Sequence, residues 1–395
     1  MVMLRLKPLS FFFLPLLLIL FLQGGPGTIA TAQLPRQEIR GVWLTSNDTN
    51  VLRDRLQVQQ AVNQLARLNF NTLYPVVWNS GYTLYPSAVA QRAGIQPFVF
   101  RGNQGQDILA DLIRQAHSQG LLVIPWFEFG FMAPPTSELA VLHPDWLTQQ
   151  RNGQQTSVTA AGEVVWLNPI HPEVQQFITD LVMELFTQYD IDGIQFDDHT
   201  SLPSEFGYDP FTVALYKQET KKDPHPDFQN PTWRQWRADK ITAFMAQLSQ
   251  AIKARKPGAI VSLSPVSYDY AFKAQMQDWL NWMRLQIIDE LVVQVYKTDL
   301  YGFTEKISRP ELQEAAQRIP VGVGVLTGLR NKPIGMELIQ AKVRAARAQG
   351  LGVSFFYYET LWDSSLEPLV DRQAGFQALF PTPAPRSLAS SVPLN

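Results

Sequence analysis

The residues of this chain best suited to chemistry are carboxylates set among aromatic rings. Asp197, Asp198 and His199 stand in a row at the end of the run IDGIQFD, and Glu128 closes LLVIPWFE beside Trp126. Gln294, Tyr296 and Lys297 end LVVQVYK, and Glu359 follows VSFFYY. Carboxylates in pairs suit glycoside hydrolysis, in which one carboxylic acid protonates the leaving oxygen while a second carboxylate, or a substrate amide, stabilises the oxocarbenium-like centre. Aromatic faces pack against the C–H faces of sugar rings. Trp43, Trp78 and Trp126 are therefore candidate sugar platforms, with a place in the apolar core as the alternative for each. Asn79, His199, Gln294, Tyr296, Lys297 and Glu359 are candidate substrate contacts, His199 being equally readable as a loop-stabilising residue.

Asp197 and Asp198 carry most of the weight. Alternation along 191–197 puts Gly193, Gln195 and Asp197 on one face and the apolar Ile194 and Phe196 on the other. The apolar face must meet surrounding helices, so Asp197 points to the axis enclosed by the strands, and Asp198 lies just past the strand, where the chain turns and brings it into the same pocket. Two carboxyl groups that close do not both ionise easily, which would leave one of them protonated and able to act as the acid. The competing reading is that one of the pair caps a helix or binds an arginine. Glu128 is either the partner carboxyl or half of a salt bridge. Glu359 shares its phase with Val353 and Phe355, which argues for a helix-facing or rim position. Asp197, Asp198 and His199 also admit metal-assisted hydrolysis, but three adjacent residues are not a specific ligand spacing. No metal and no cofactor is expected, and the G-x-S-x-G elbow of serine hydrolases is missing.

The elements that must position these groups are eight. Strand patterns fall at 39–45, 72–78, 121–128, 191–197, 260–265, 291–296, 321–327 and 353–358, and helical periods separate them. The cleanest stripe is Val174, Phe177, Ile178, Leu181, Leu185 and Phe186. Strand then helix, eight times, predicts a (β/α)8 TIM barrel over residues 33–380, a doubly wound open sheet being the alternative. The connections 129–172 and 199–233 are enlarged, and both follow strand C-termini, where this fold builds its sites. The Pro-rich segment 381–395 reads as a disordered tail.

Composition narrows the partners. With 33 basic and 35 acidic residues and no basic block, nothing suggests a nucleic-acid surface. The absence of cysteine excludes disulfides, thiolate metal sites and thiol nucleophiles. Residues 1–32 read as a signal peptide: Arg5 and Lys7, an apolar run from Leu9 to Leu22, then Ala30-Thr31-Ala32. That run is shorter than the ~20 residues of a membrane span. A periplasmic or extracellular protein without a membrane span after cleavage is expected; a retained anchor is the alternative.

The segments EIRGVWLT, FNTLYPVVWNSGYTLYPS, HPDWL, WLNPIHPEV and above all YDIDGIQFDDH resemble the bacterial glycosyl hydrolase-like family 10, formerly a domain of unknown function numbered 187. The likeness runs from about residue 37 to residue 362 and implies a (β/α)8 barrel and an exported glycosidase. The family's DG-x-x-FDD element falls on Asp192 to Asp198 and its Q-x-Y strand on Gln294 to Tyr296. Family members commonly carry Tyr where this chain has His199, so that position's role is not carried over. The strand-four motif is more loosely similar to hexosaminidases that use a substrate 2-acetamido group as internal nucleophile. His199 replaces the acid glutamate of the chitinase pattern, and the Asp-Asp pair is closer to retaining N-acetylglucosaminidases. The expectation is a glycosidase acting on an envelope glycan or other polysaccharide, peptidoglycan-type N-acetylhexosamine strands among the candidates, with Asp197 and Asp198 as the pair and Glu128 as auxiliary or alternative acid. A silent glycan-binding barrel serving as an envelope scaffold is the rival.

Overall fold

The computed structural model describes residues 38–386 apart from 47–49, 97–104, 330–331 and 364. The signal-peptide reading of 1–32 lies outside the described residues. Eight parallel strands form a closed barrel: β1 (Arg40–Leu44), β2 (Thr72–Asn79), β3 in two pieces (Leu122–Val123 and Trp126–Phe127), β4 (Gly193–Asp197), β5 (Ile260–Ser264), β6 (Glu290–Val295), β7 (Val321–Leu326) and β8 (Gly352–Phe356). Each pairs with its sequence neighbours, and β1 closes the ring on both β2 and β8. The eight strand positions read from the sequence all fall on this barrel. Pro125 separates the two pieces of β3, as expected for a residue with no N–H to give the ladder.

Helices of the surrounding layer begin at complete start signals. Helix α1 (Arg55–Arg67) is capped by Asp54 and α2 (Ile108–Ser118) by Asp107. In α3 (Pro172–Gln188) His171 caps and Pro172 opens the first turn, and the predicted stripe from Val174 to Phe186 is buried throughout. Helix α4 (Pro231–Arg255) repeats the device with Asn230 and Pro231.

The barrel interior is not wholly apolar. Trp43 Nε1 donates to Gln195 Oε1 at 2.7 Å, Gln195 Nε2 donates to Ser262 Oγ at 2.9 Å, and Ser262 Oγ donates to Glu290 Oε1 at 2.8 Å. The Tyr74 hydroxyl donates to the same Glu290 oxygen at 2.8 Å, and Arg386 pairs with the other. This ladder leads from Trp43, near the strand C-termini, to a guanidinium supplied by the segment after the last helix. The expectation of a disordered tail therefore needs correction over its described part: Arg40 Nη1 donates to the Thr382 carbonyl at 2.5 Å and Asn71 Nδ2 to the Ala384 carbonyl at 3.2 Å. Proline-rich composition suggested disorder, yet these backbone carbonyls and one arginine fasten residues 381–386 to the body. Residues 387–395 lie outside the described ones.

The two long connections are folded structures. The one after β3 carries a three-stranded antiparallel sheet, Met132–Ala133, Gly162–Trp166 and Thr156–Thr159. The one after β4 carries the helix Pro210–Thr220, capped by Asp209. Asp209 also accepts from Thr148 Oγ1 and Asn168 Nδ2 at 2.9 and 3.0 Å, tying the two connections together. The fully buried Arg237 of α4 donates to the carbonyls of Ser204, Phe206 and Phe228, which shapes the loop leading into that helix.

Candidate active site

Asp197 ends β4 on the inward face, in phase with Gln195, as alternation requires. It is 1% exposed, and its carboxylate is fully engaged: Oδ1 accepts from the His199 backbone N–H at 2.9 Å, and Oδ2 from Trp126 Nε1 at 3.3 Å. Asp198, one residue on, keeps 16% of its side chain exposed and accepts from Gln294 Nε2 at 2.8 Å. The same Gln294 amide donates to the Ser264 carbonyl at 2.9 Å, so β6 and β5 together set the position of the Asp198 oxygen.

Glu128 enters from β3. Alternation from the inward Trp126 through the outward Phe127 brings Glu128 to the mouth, where Asn79 Nδ2 donates to its Oε2. Asn79 is in place because β2 is irregular. From Tyr74, alternation would put Val76 and Trp78 inside the barrel, but the register against β3 shifts between Val76 and Trp78. The shift sends Trp78 outward, against Phe127 and Phe177 at ring distances of 6.4 and 5.8 Å, and turns Asn79 in.

His199 joins the carboxyl groups. Its Nδ1 is 2.7 Å from the Glu128 carbonyl, which only accepts, so Nδ1 carries a proton and Nε2 is the remaining variable atom. The same Nδ1 lies 3.2 Å from Asp197 Oδ2 and 3.9 Å from Asp198 Oδ1. Gly130 makes the arrangement possible: it has φ +48°, and a Cβ there would overlap the His199 carbonyl. That carbonyl accepts from Phe131 N–H at 3.0 Å.

Electrostatics divides the roles. Burial pushes the Glu128 carboxyl up to about 7; the Asn79 amide holds it down and Asp197 adds to the rise. Burial also raises Asp197, to about 6, with His199 opposing and Asp198 adding. Burial alone would lower the His199 pKa, but Asp198 and Asp197 outweigh it and push it up to about 10. At neutral pH the site thus holds an imidazolium, an ion-paired Asp197, and in Glu128 a carboxyl that is close to half protonated. Burial, with Asp198, Asp197 and Glu128 beside it, keeps the Tyr296 phenol protonated well beyond its ordinary range.

The aromatic surroundings differ in part from expectation. Tyr296 stacks on Phe356 at 4.8 Å, and both rings keep partial exposure. Gly324 on β7 leaves room for them: a Cβ there would come 2.9 Å from the Tyr296 ring. Trp43 is 1% exposed and Trp126 4%, so they floor the site from inside the core and do not offer open stacking faces. Trp78, expected as a sugar platform, is fully buried in the helix layer, with Nε1 donating to the Gly130 carbonyl at 2.9 Å. Glu359, expected as a substrate contact, begins a short helical turn after β8 and accepts from the Asn50 backbone N–H at 2.8 Å. Lys297 is exposed just past β6, with its carbonyl held by Lys342. Phe356, read from the pattern only as a strand residue, and the Gln195 ladder beneath Trp43 were not anticipated as parts of the site. Polar Gln195 and Glu290 in phase with Asp197 and Gln294 were the available signals.

Asp197, Asp198 and His199 bring one possible ligand atom each within 4.8 Å of one another. Their bonds already describe an ion-paired triad in which Nδ1 is a donor, a poor fit to a cation. The arrangement is suited to proton transfer beside a fixed carboxylate.

The comparisons agree with this architecture. The family model described as glycosyl hydrolase-like 10 matches residues 38–345. The chain is 27% identical to glycosyl hydrolase DigH of Escherichia coli K12 over 311 residues, 68% of this chain and 67% of the relative. It is 24% identical to glycosyl hydrolase YngK of Bacillus subtilis over 254 residues, 60% and 46% of the two chains. Among solved structures, the PgaB glycoside hydrolase domain from Bordetella bronchiseptica superimposes with a TM-score of 0.60 at 16% identity, covering 87% of this chain and 98% of that one. At such identity the likeness speaks for the fold alone, a (β/α)8 barrel.

Proposed function

The chain belongs to the glycosyl hydrolase-like 10 family, and on that premise we propose that it is an exported glycoside hydrolase that cuts O-glycosidic bonds of an envelope glycan. The observation that carries the reading is the pairing of Glu128, a carboxyl raised to about 7, with the adjacent aspartates. An acid with that pKa is partly protonated at neutral pH and so suited to donate.

In this reading Glu128 gives its proton to the leaving oxygen as the bond to the anomeric carbon breaks. Asp198, the more accessible aspartate, faces the positive centre that develops, directly or through a substrate 2-acetamido group. A water then supplies hydroxyl to the anomeric carbon, and its proton returns to Glu128. Asp197 is a positioning residue, because its oxygens already hold the His199 ring and backbone and the Trp126 indole. The division thus differs from the simplest sequence reading, in which both aspartates form the catalytic pair. The protonated Tyr296 hydroxyl is a donor for a sugar oxygen. Strands of N-acetylhexosamine are the favoured substrate class, given the export pattern and the Asp-Asp likeness. The test is mass spectrometry of products from a panel of envelope glycans. New reducing ends from at least one supports the reading, and intact glycans throughout would leave a binding scaffold as the better account.

A further inference from the structure

A second cavity lies beside the carboxylates, not among them. It has a volume of about 630 Å³, within the ~300–1,000 Å³ usual for small-ligand sites. Its floor is the outward face of β6, Val293 and Val295, and at its inner end it reaches Gln294 and Tyr296, residues of the candidate active site. We propose that this cleft is a subsite for the continuing, uncharged part of a glycan chain, so that the enzyme grips several sugars beyond the bond it cuts. The proposal rests on the glycosidase reading and adds the substrate's length and charge to it.

Three features carry it. One wall is aromatic: Tyr268 and the buried Trp279 pack at a ring distance of 5.1 Å, and Tyr270 beside them is 58% exposed, with an open ring face. Such a face is what a pyranose ring covers. In the same lining, Glu311 Oε2 is buried and makes no hydrogen bond within the described residues. A buried acceptor left unsatisfied is costly, and a sugar hydroxyl reaching into the cleft would satisfy it.

The third feature is charge. Asp269 pairs with Lys273 at 2.6 Å, and Glu305 pairs with both Lys306 and Arg309, so most cations of the rim are already matched. Lys297 makes no ion pair among the described residues, but the unpaired Glu311 lies in the same cleft, so four cations face three carboxylates and the surplus is one. A cleft balanced in this way favours hydroxyls and acetamides over phosphate or a run of uronates. The link to chemistry is short, since Gln294 at the inner end is the residue that holds Asp198.

Isothermal titration of the full-length protein with N-acetylglucosamine oligomers of two and six units tests this without requiring turnover. The six-unit oligomer is expected to bind more tightly than the two-unit one, and Tyr270→Ala or Glu311→Gln to weaken the six-unit affinity about tenfold, the scale of one stacking or hydrogen-bonding contact. Tyr301→Ala, which removes an exposed ring outside the cleft, should leave that affinity as it was. Equal affinity for both lengths, no binding of either, six-unit binding unaffected by both cleft variants, or tighter binding of a six-unit uronate oligomer would each overturn the proposal. Length-dependent binding without any hydrolysis would instead count against the glycosidase reading while the subsite stands.

Discussion

His199 Nδ1 sits 2.7 Å from the backbone carbonyl of Glu128, so the residue following the aspartate pair is fastened to the strand that carries the third carboxyl. β3 and β4 are thereby joined at their C-terminal ends by a side chain that also pairs with Asp197. The catalytic proposal depends on this junction, because it sets Glu128 and Asp198 relative to each other.

The junction has a pH signature. His199 has a folded pKa raised above its ordinary 6.5, which means the folded state holds the proton more tightly than the unfolded one. Its contribution to stability is therefore complete below pH 6.5 and is lost as pH rises toward about 10. His199→Gln keeps an N–H for the Glu128 carbonyl but not the charge. Denaturant midpoints measured from pH 6 to 10 should show the wild type more stable at the acid end and its advantage shrinking steadily with pH. An advantage that stays constant would mean that the imidazole is not charged in the folded protein.

Glu128 has a kinetic signature. If it is the acid, activity requires its protonated form, so the rate should fall as pH rises through about 7. Glu128→Gln should lower kcat by about 10²- to 10⁴-fold, the usual contribution of a general acid, and abolish that limb of the pH profile. Steady-state kinetics across pH 5 to 9 gives both readings.

Much of this was legible in the sequence where one physical rule acts alone. Strand alternation in IDGIQFD places Asp197 inward, and it is inward; the apolar stripe of α3 is buried as its period requires. Reading fails where a second effect intervenes. Trp78 obeys alternation until the register shift after Val76 reverses its phase, and no residue type marks that shift. Residues 381–386 have the composition of a disordered tail, but their order comes from Arg40, Asn71 and Glu290, all far away in sequence. The raised pKa of Glu128 comes from burial by surrounding chain, which spacing alone does not reveal.

Trp78 and Tyr296 should separate cleanly on substitution. Trp78→Ala empties a fully buried site in the helix layer and should cost about 3–5 kcal/mol of stability, read by chemical denaturation. Tyr296→Phe removes a half-buried hydroxyl at the mouth and should raise KM or lower kcat with little effect on the denaturation midpoint.

At the opposite end of the barrel, Arg386 and Glu290 form an ion pair whose side chains are 7% and 2% exposed. Arg386→Ala would leave the Glu290 carboxylate buried and uncompensated, at a cost of about 3–5 kcal/mol. The double variant Glu290→Gln with Arg386→Ala should recover part of that loss. Equal stability of wild type and Arg386→Ala would mean that the segment after the last helix, Leu369–Leu379, does not close the barrel.

The most direct test of the central claim is the release of reducing ends from an envelope glycan panel by wild type, Glu128→Gln and Asp198→Asn, each checked for native folding by circular dichroism. The proposed mechanism predicts release by the wild type and loss of at least about a hundredfold in each variant. Full activity in either folded variant would contradict the assignment of Glu128 and Asp198 to the chemistry.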